Sequence, residues 1–198
     1  MTVTALRART RIEDLRRGEL IAAAHRVFME HGLSGLTTAR ICAAAGMSPG
    51  ILSYYFNGKD EVLYAMVRMN NRALVQDVVA RLRHARTPWD RLEAIIEGNF
   101  PVAFYERNVA NAWLSVCAAS AQNERFARLQ RLFHARLASN LASVFGGVIA
   151  PASQRQLILS IGTQIDGFWL RKSTDQGLDR ATAVAVILHT VTAQLDPV

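Results

Sequence analysis

The chain has 198 residues, is 51% hydrophobic and carries a formal charge of +7, enough for one good core or a small domain joined to a larger one. No apolar run approaches the roughly 20 residues of a membrane helix, and charges stand where a signal peptide would carry its apolar stretch, so a membrane span is excluded and the cytoplasm is the expected address. Cys42 and Cys117 lie far apart, without a CxxC pattern or clustered histidines, which excludes a disulfide framework and a zinc site and leaves no metal or cofactor to expect.

Helical periodicity dominates and no alternating β-branched run is bounded by turn pairs, so the chain reads as all-α. Ile12, Leu15, Leu20, Ile21, Ala24, Val27 and Phe28 form an apolar stripe that stops at His31-Gly32. Thr37 and Thr38 cap a short helix that Gly46 ends near Ala45. Ser48 caps a third helix, with Pro49 at its first position and its end near Phe56. After an Asn57-Gly58 turn, Lys59 opens a long helix running past Leu82. Thr87-Pro88 starts the next, which continues through Glu97 before Pro101 breaks the pattern. Helices follow from Asn108 to about Ser120 and from Glu124 to Phe145, the latter with Phe126, Leu129, Leu132, Phe133, Leu137, Leu141 and Val144 inward. Pro151 opens a helix to about Lys172, and Asp179 caps a last one to about Leu195. The expected organisation is a three-helix unit at 1–58 and a larger helical domain at 59–198.

The pI near 10.2 points toward polyanionic partners, and the basic excess sits at the front. Up to Lys59 there are eight Lys/Arg against four Asp/Glu, including Arg7, Arg9 and Arg11; beyond it there are fifteen against twelve. In the same region two short helices meet at Gly46, with Ala43 and Ala44 small enough for close approach, the arrangement that presents a helix to the major groove. Ser48, Pro49 and Gly50 put small side chains on the first turn of the second helix, while Tyr54 and Tyr55 stand at its far end. Lys59 is placed for a phosphate contact, which adds affinity without sequence information.

These residues resemble the TetR-type repressors. Gly32, Thr37, the run Ile41-Cys42-Ala43-Ala44-Ala45-Gly46-Met47-Ser48, then Ser53-Tyr54-Tyr55-Phe56 and Lys59 match that family's pattern, with Cys42, Met47 and Ser53 as departures. The resemblance implies a DNA-facing set of Thr38, Arg40, Ser48, Gly50, Ile51, Ser53, Tyr54, Tyr55 and Lys59. In it Thr38 caps the second helix near the backbone, Gly50, Ile51 and Tyr54 face bases, and Tyr55 and Lys59 hold phosphates. Phe56 reads as core, and Tyr55 can serve both core and phosphate.

Further on, Ala112-Trp113-Leu114, Arg128-Leu129-Gln130-Arg131, Arg136 to Leu141 and above all Asp166-Gly167-Phe168-Trp169-Leu170-Arg171 are similar to the choline-sensing BetI branch. That likeness implies a homodimer built on the helices at 153–172 and 180–195, a double-stranded operator as partner, and release by choline or a related quaternary amine. Independently, such a cation needs aromatic faces, with one carboxylate as an optional counter-charge, since it has no N–H to donate. Phe100, Phe104, Tyr105, Trp113 and Trp169 supply candidate faces, and Glu97 or Asp166 the carboxylate, although aromatics at helical spacing also serve as plain core. The five histidines are scattered, and no phosphate loop or nucleophile elbow occurs, so an enzyme is not expected. A regulator of another ligand and a helical protein-interaction module are the competing readings.

Overall fold

The computed structural model describes residues 3–102, 104–175 and 177–195, with side chains from Arg11 onward, so Arg7 and Arg9 lie outside the described side chains. Among the described residues every regular element is helical: α1 Val3–Gly35, α2 Thr38–Ala44, α3 Gly50–Tyr55, α4 Lys59–Leu82, α5 Pro88–Gly98, α6 Arg107–Ser120, α7 Glu124–Phe145, α8 Pro151–Thr174 and α9 Arg180–Leu195. None of these helices is long and apolar enough to cross a membrane. The chain divides into two compact units, 1–69 and 70–198, and the division falls inside α4 rather than at its first residue. Val62, Leu63 and Met66 on the early turns of α4 are buried, so this stretch serves the first unit as core.

In the first unit α1 buries Leu20, Ala23, Ala24, Val27 and Phe28, while α2 and α3 contribute Ile41, Cys42 and Leu52 and are followed by the buried Phe56. Helix α1 begins earlier than its apolar stripe predicts, and Ile12 and Leu15 remain 59% and 60% exposed. Their spacing fits the inward face, but the buried part of α1 begins only at Leu20. The helical path is interrupted at Gly32, whose φ of 67° and ψ of −171° suit only glycine. Gly46, at φ 65°, ends α2: its N–H donates to the Ala43 carbonyl and Met47 N–H to that of Cys42, the paired bonds of a Schellman stop.

The second unit has its own core. Leu157, Ile161, Ile165 and Trp169 recur every four residues along α8 and are buried with Ala183, Ile187 and Val191 of α9, Leu137 and Leu141 of α7, and Ile95 and Ile96 of α5. Helix α8 packs on α6, α7 and α9, and α5 on α7 and α9. On α7, Leu132 is 57% exposed rather than inward, because the buried stripe runs through Phe133, Leu137, Leu141 and Val144. Thr87 and Asp90 close a capping box at the start of α5, and the Asp179 carboxylate accepts from Thr182 N–H at 2.7 Å, capping α9.

Helix α5 meets α4 tightly at Gly98. A Cβ there would lie 2.5 Å from Val78 Cγ2 and 3.1 Å from Val78 Cα, so the backbone itself would have to move. Gly98→Ala is expected to cost about 1–3 kcal/mol by overpacking, and Val78→Ala in the same chain should recover part of that loss. Denaturant midpoints of the two single variants and the double variant check this coupling.

Candidate nucleic-acid interface and ligand cluster

Helix α3 turns Leu52 inward at 1% exposure and leaves Ser48, Gly50, Ser53 and Tyr54 exposed, with Ile51 and Tyr55 half-buried beside them. Lys59 at the start of α4 and Arg40 on α2 are exposed, and Thr38 is half-buried. The N-cap of α2 is Thr37, whose hydroxyl accepts from Arg40 N–H at 3.3 Å; Thr38 is the first helical residue and not the cap. At α3 the capping position falls on Pro49, and Ser48 contributes its carbonyl, which accepts from Ile51 N–H at 3.1 Å. The backbone at Gly50 has no positive φ, and a Cβ there would meet nothing within 4 Å, so nothing inside the chain calls for glycine at this exposed turn.

Several polar groups on this surface already hold partners in the chain. The Tyr54 hydroxyl donates to Glu13 Oε1 at 3.3 Å, and the Tyr54 and Tyr55 rings meet edge to face at 4.9 Å. The Arg40 guanidinium donates to the Gly35 carbonyl at 3.2 Å. Arg26 donates to the Ala44 carbonyl at 2.8 Å, placing a cation on the C-terminal end of α2, where the helix dipole favours one. The Arg17 guanidinium lies 4.6 Å from the centroid of the Phe56 ring. Glu13, Arg17 and Arg26 were not singled out from the sequence; their only signal was their place on α1.

The candidate aromatic residues do not form one site. Phe100, Tyr105 and Trp169 come together: Phe100 lies 5.3 Å from Tyr105 and 6.2 Å from Trp169, and Tyr105 meets Trp169 edge on at 5.1 Å. Phe168, missed in the sequence as a member, joins through Phe100 at 6.2 Å. Lys172, one turn beyond Phe168 on α8, places its Nζ 5.2 Å from the Tyr105 centroid, a position that i+4 spacing from a cluster residue would have signalled. The Trp169 indole N–H donates to the Asn99 carbonyl at 3.1 Å. Trp113 belongs to a second group with Phe133, 5.6 Å away, and Phe104 is 38% exposed.

Neither candidate carboxylate stands unengaged. Glu97 accepts from Arg81 of α4 and pairs with Arg180 of α9 at 3.1 Å, while Arg180 also donates to the Phe100 carbonyl at 2.6 Å. Asp166 pairs with His134 at 3.2 Å; burial pushes its carboxyl above the ordinary range, against the opposing pull of that histidine. Asp166 and His134 line an apolar groove of about 650 Å³ between α7 and α8, with Leu137, Ala142, Ile158 and Gly162; Glu97 does not.

Residues 20–66 match the model of the bacterial regulatory proteins of the tetR family, and residues 88–196 match that of the BetI-type transcriptional repressor C-terminal domain. The chain is 34% identical to the HTH-type transcriptional regulator BetI of Brucella suis, over 93% of each chain. It is 39% identical to BetI 2 of Chromohalobacter salexigens, over 93% of this chain and 90% of that one. Among solved structures, a TetR transcription regulator from Haloarcula marismortui superposes with a TM-score of 0.78 at 22% identity, covering 92% of this chain and 97% of that one. A structure from Saccharomonospora viridis in complex with choline gives 0.77 at 19% identity, covering 89% and 95%.

A surface that positions by phosphate contacts loses affinity alike on all sequences when a contact is removed. Lys59→Ala and Tyr55→Ala are expected to weaken DNA binding on cognate and scrambled duplexes by similar factors. For Lys59→Ala the slope of log K against log salt should also become shallower by about one. Fluorescence anisotropy across a salt series measures both.

Proposed function

The chain belongs to the TetR family and to its BetI-type branch, and from that premise we propose that it works as a homodimer whose hold on a palindromic operator is released by a small quaternary ammonium of the choline class. Membership makes it a DNA-binding transcriptional repressor and not an enzyme. In the proposed complex α3 enters the major groove, with Gly50, Ile51 and Tyr54 toward bases and Ser53, Tyr55 and Lys59 toward phosphates; Thr38, Arg40 and Ser48 flank the backbone. Tyr54 and Arg40 hold intrachain partners here, so contact with DNA exchanges those bonds and does not simply add new ones. The place of action is the cytoplasm, where the operator is.

The observation that carries the effector half is the meeting of Phe100 and Tyr105, from the segment between α5 and α6, with Trp169 of α8 in one buried aromatic cluster. Aromatic faces are what a quaternary ammonium binds, and a structural neighbour holds choline. Glu97 is already neutralised by two guanidiniums, so it supplies no free counter-charge to the cation. Trp113 and Asp166 belong to other groups, and the reading gives them secondary parts. Pairing of two chains is assigned to the outer faces of α8 and α9, where Leu159 is 68%, Leu170 53% and Val186 44% exposed. A two-fold pair then spaces its α3 helices about 34 Å apart, one turn of DNA.

Two measurements on the full chain test this reading. A specific, salt-sensitive gel shift is expected with the DNA upstream of its own gene, and choline alone is expected to raise the melting temperature by mass action. A sequence-specific shift with no thermal response to choline, betaine aldehyde or other quaternary amines keeps the repressor and removes the effector class.

A further inference from the structure

Tyr105 is only 7% exposed, and its hydroxyl is the one buried side-chain polar atom among the described residues that has no hydrogen-bond partner. Its neighbours are not left in that state. In the same cluster the Trp169 N–H is taken by the Asn99 carbonyl, the Asn99 amide donates to the Ile95 carbonyl at 2.7 Å, and Arg180 serves the Phe100 carbonyl. A buried hydroxyl without a partner is costly and uncommon enough in native proteins to need a reason. Packing supplies none, because a phenylalanine ring would make the same edge contacts with Phe100 and Trp169 without that cost.

Resting on the effector reading above, we propose that the Tyr105 hydroxyl is the hydrogen-bonding anchor for an oxygen atom on the effector, so that the site selects oxygen-bearing quaternary ammoniums over their hydrocarbon analogues. The two halves of such a molecule need different surroundings: aromatic faces for the methylated nitrogen, which cannot donate a hydrogen bond, and one polar atom for the oxygen. The Phe100, Tyr105 and Trp169 cluster holds both. Burial above all, then the negative charges of Asp179 and Asp175, push the phenol up to about 12, so the hydroxyl keeps its proton and donates at any physiological pH. The Lys172 ammonium near the Tyr105 ring donates to the Leu178 carbonyl at 2.8 Å. A polar site of this kind discriminates well, because an analogue lacking the oxygen leaves the buried group unmatched.

The test compares choline with n-propyltrimethylammonium, in which a methyl group replaces the hydroxyl, by calorimetric titration of the full-length protein and its Tyr105→Phe variant. The wild type is expected to prefer choline by about 10- to 100-fold. Tyr105→Phe should erase that preference by weakening choline while leaving the hydrocarbon cation unchanged. Without ligand, the variant should melt no lower than the wild type, since no intrachain bond is lost. Equal binding of both cations by the wild type overturns the anchor and leaves the effector class standing; binding of neither overturns the effector class itself. A lower melting temperature for ligand-free Tyr105→Phe would also overturn the anchor, because the hydroxyl would then have a structural role.

Discussion

The Glu97 carboxylate takes a guanidinium from α4 and another from α9 at the same time, and the organisation around the aromatic cluster follows from that sharing. Arg81 reaches it while also held by Asp77 at 2.8 Å on its own helix, and Arg180 reaches it while donating to the Phe100 carbonyl. One acidic group on α5 therefore ties the last turn of α4 and the first of α9 to the backbone that carries Phe100. The three side chains keep between 25% and 36% of their surface exposed, so solvent weakens the attraction and the network positions helices more than it stabilises them. The close approach of Gly98, one residue along, to Val78 holds α5 against α4 by shape. Helix α4 begins in the first unit and ends in the second.

The front unit depends on a different economy. Its α2 and α3 have seven and six residues, far too short to persist alone in water, and they exist because Ile41, Cys42, Leu52 and Phe56 are buried with Leu20, Val27 and Phe28. Gly46 sets the turn between them in a conformation that a side chain would strain. With the inward residues committed to this small core, Ser48, Gly50, Ser53 and Tyr54 are left for the outside. The proposed DNA contacts are drawn largely from residues that the core leaves outside.

Much of this was legible in the sequence where a residue acts through its own backbone. Gly32 and Gly46 marked breaks because few residues tolerate their φ, and Thr87 and Asp179 marked starts because their side chains cap donors within one turn. The family was legible for the same reason, since its motif is a string of such local constraints. Which groups meet across helices was less legible. Helical spacing put Ile12, Leu15 and Leu132 on inward faces, but what covers a face is decided by other parts of the chain. Trp113 and Trp169 looked alike as aromatics on helices, yet one faces Phe133 and the other Tyr105 and Phe100. Glu97 and Asp166 read only as candidate counter-charges, and their partners were not legible because Arg81, Arg180 and His134 lie 16, 83 and 32 residues away in sequence.

The central claim is that one protein holds two linked sites, so that a quaternary ammonium and the operator oppose each other through the fold. Linkage requires the effect to be reciprocal. Titrating choline into the free protein and into the protein saturated with operator measures it directly. The account predicts that operator weakens choline binding by the same factor by which choline weakens operator binding. Choline affinity that is identical in the two titrations would contradict it.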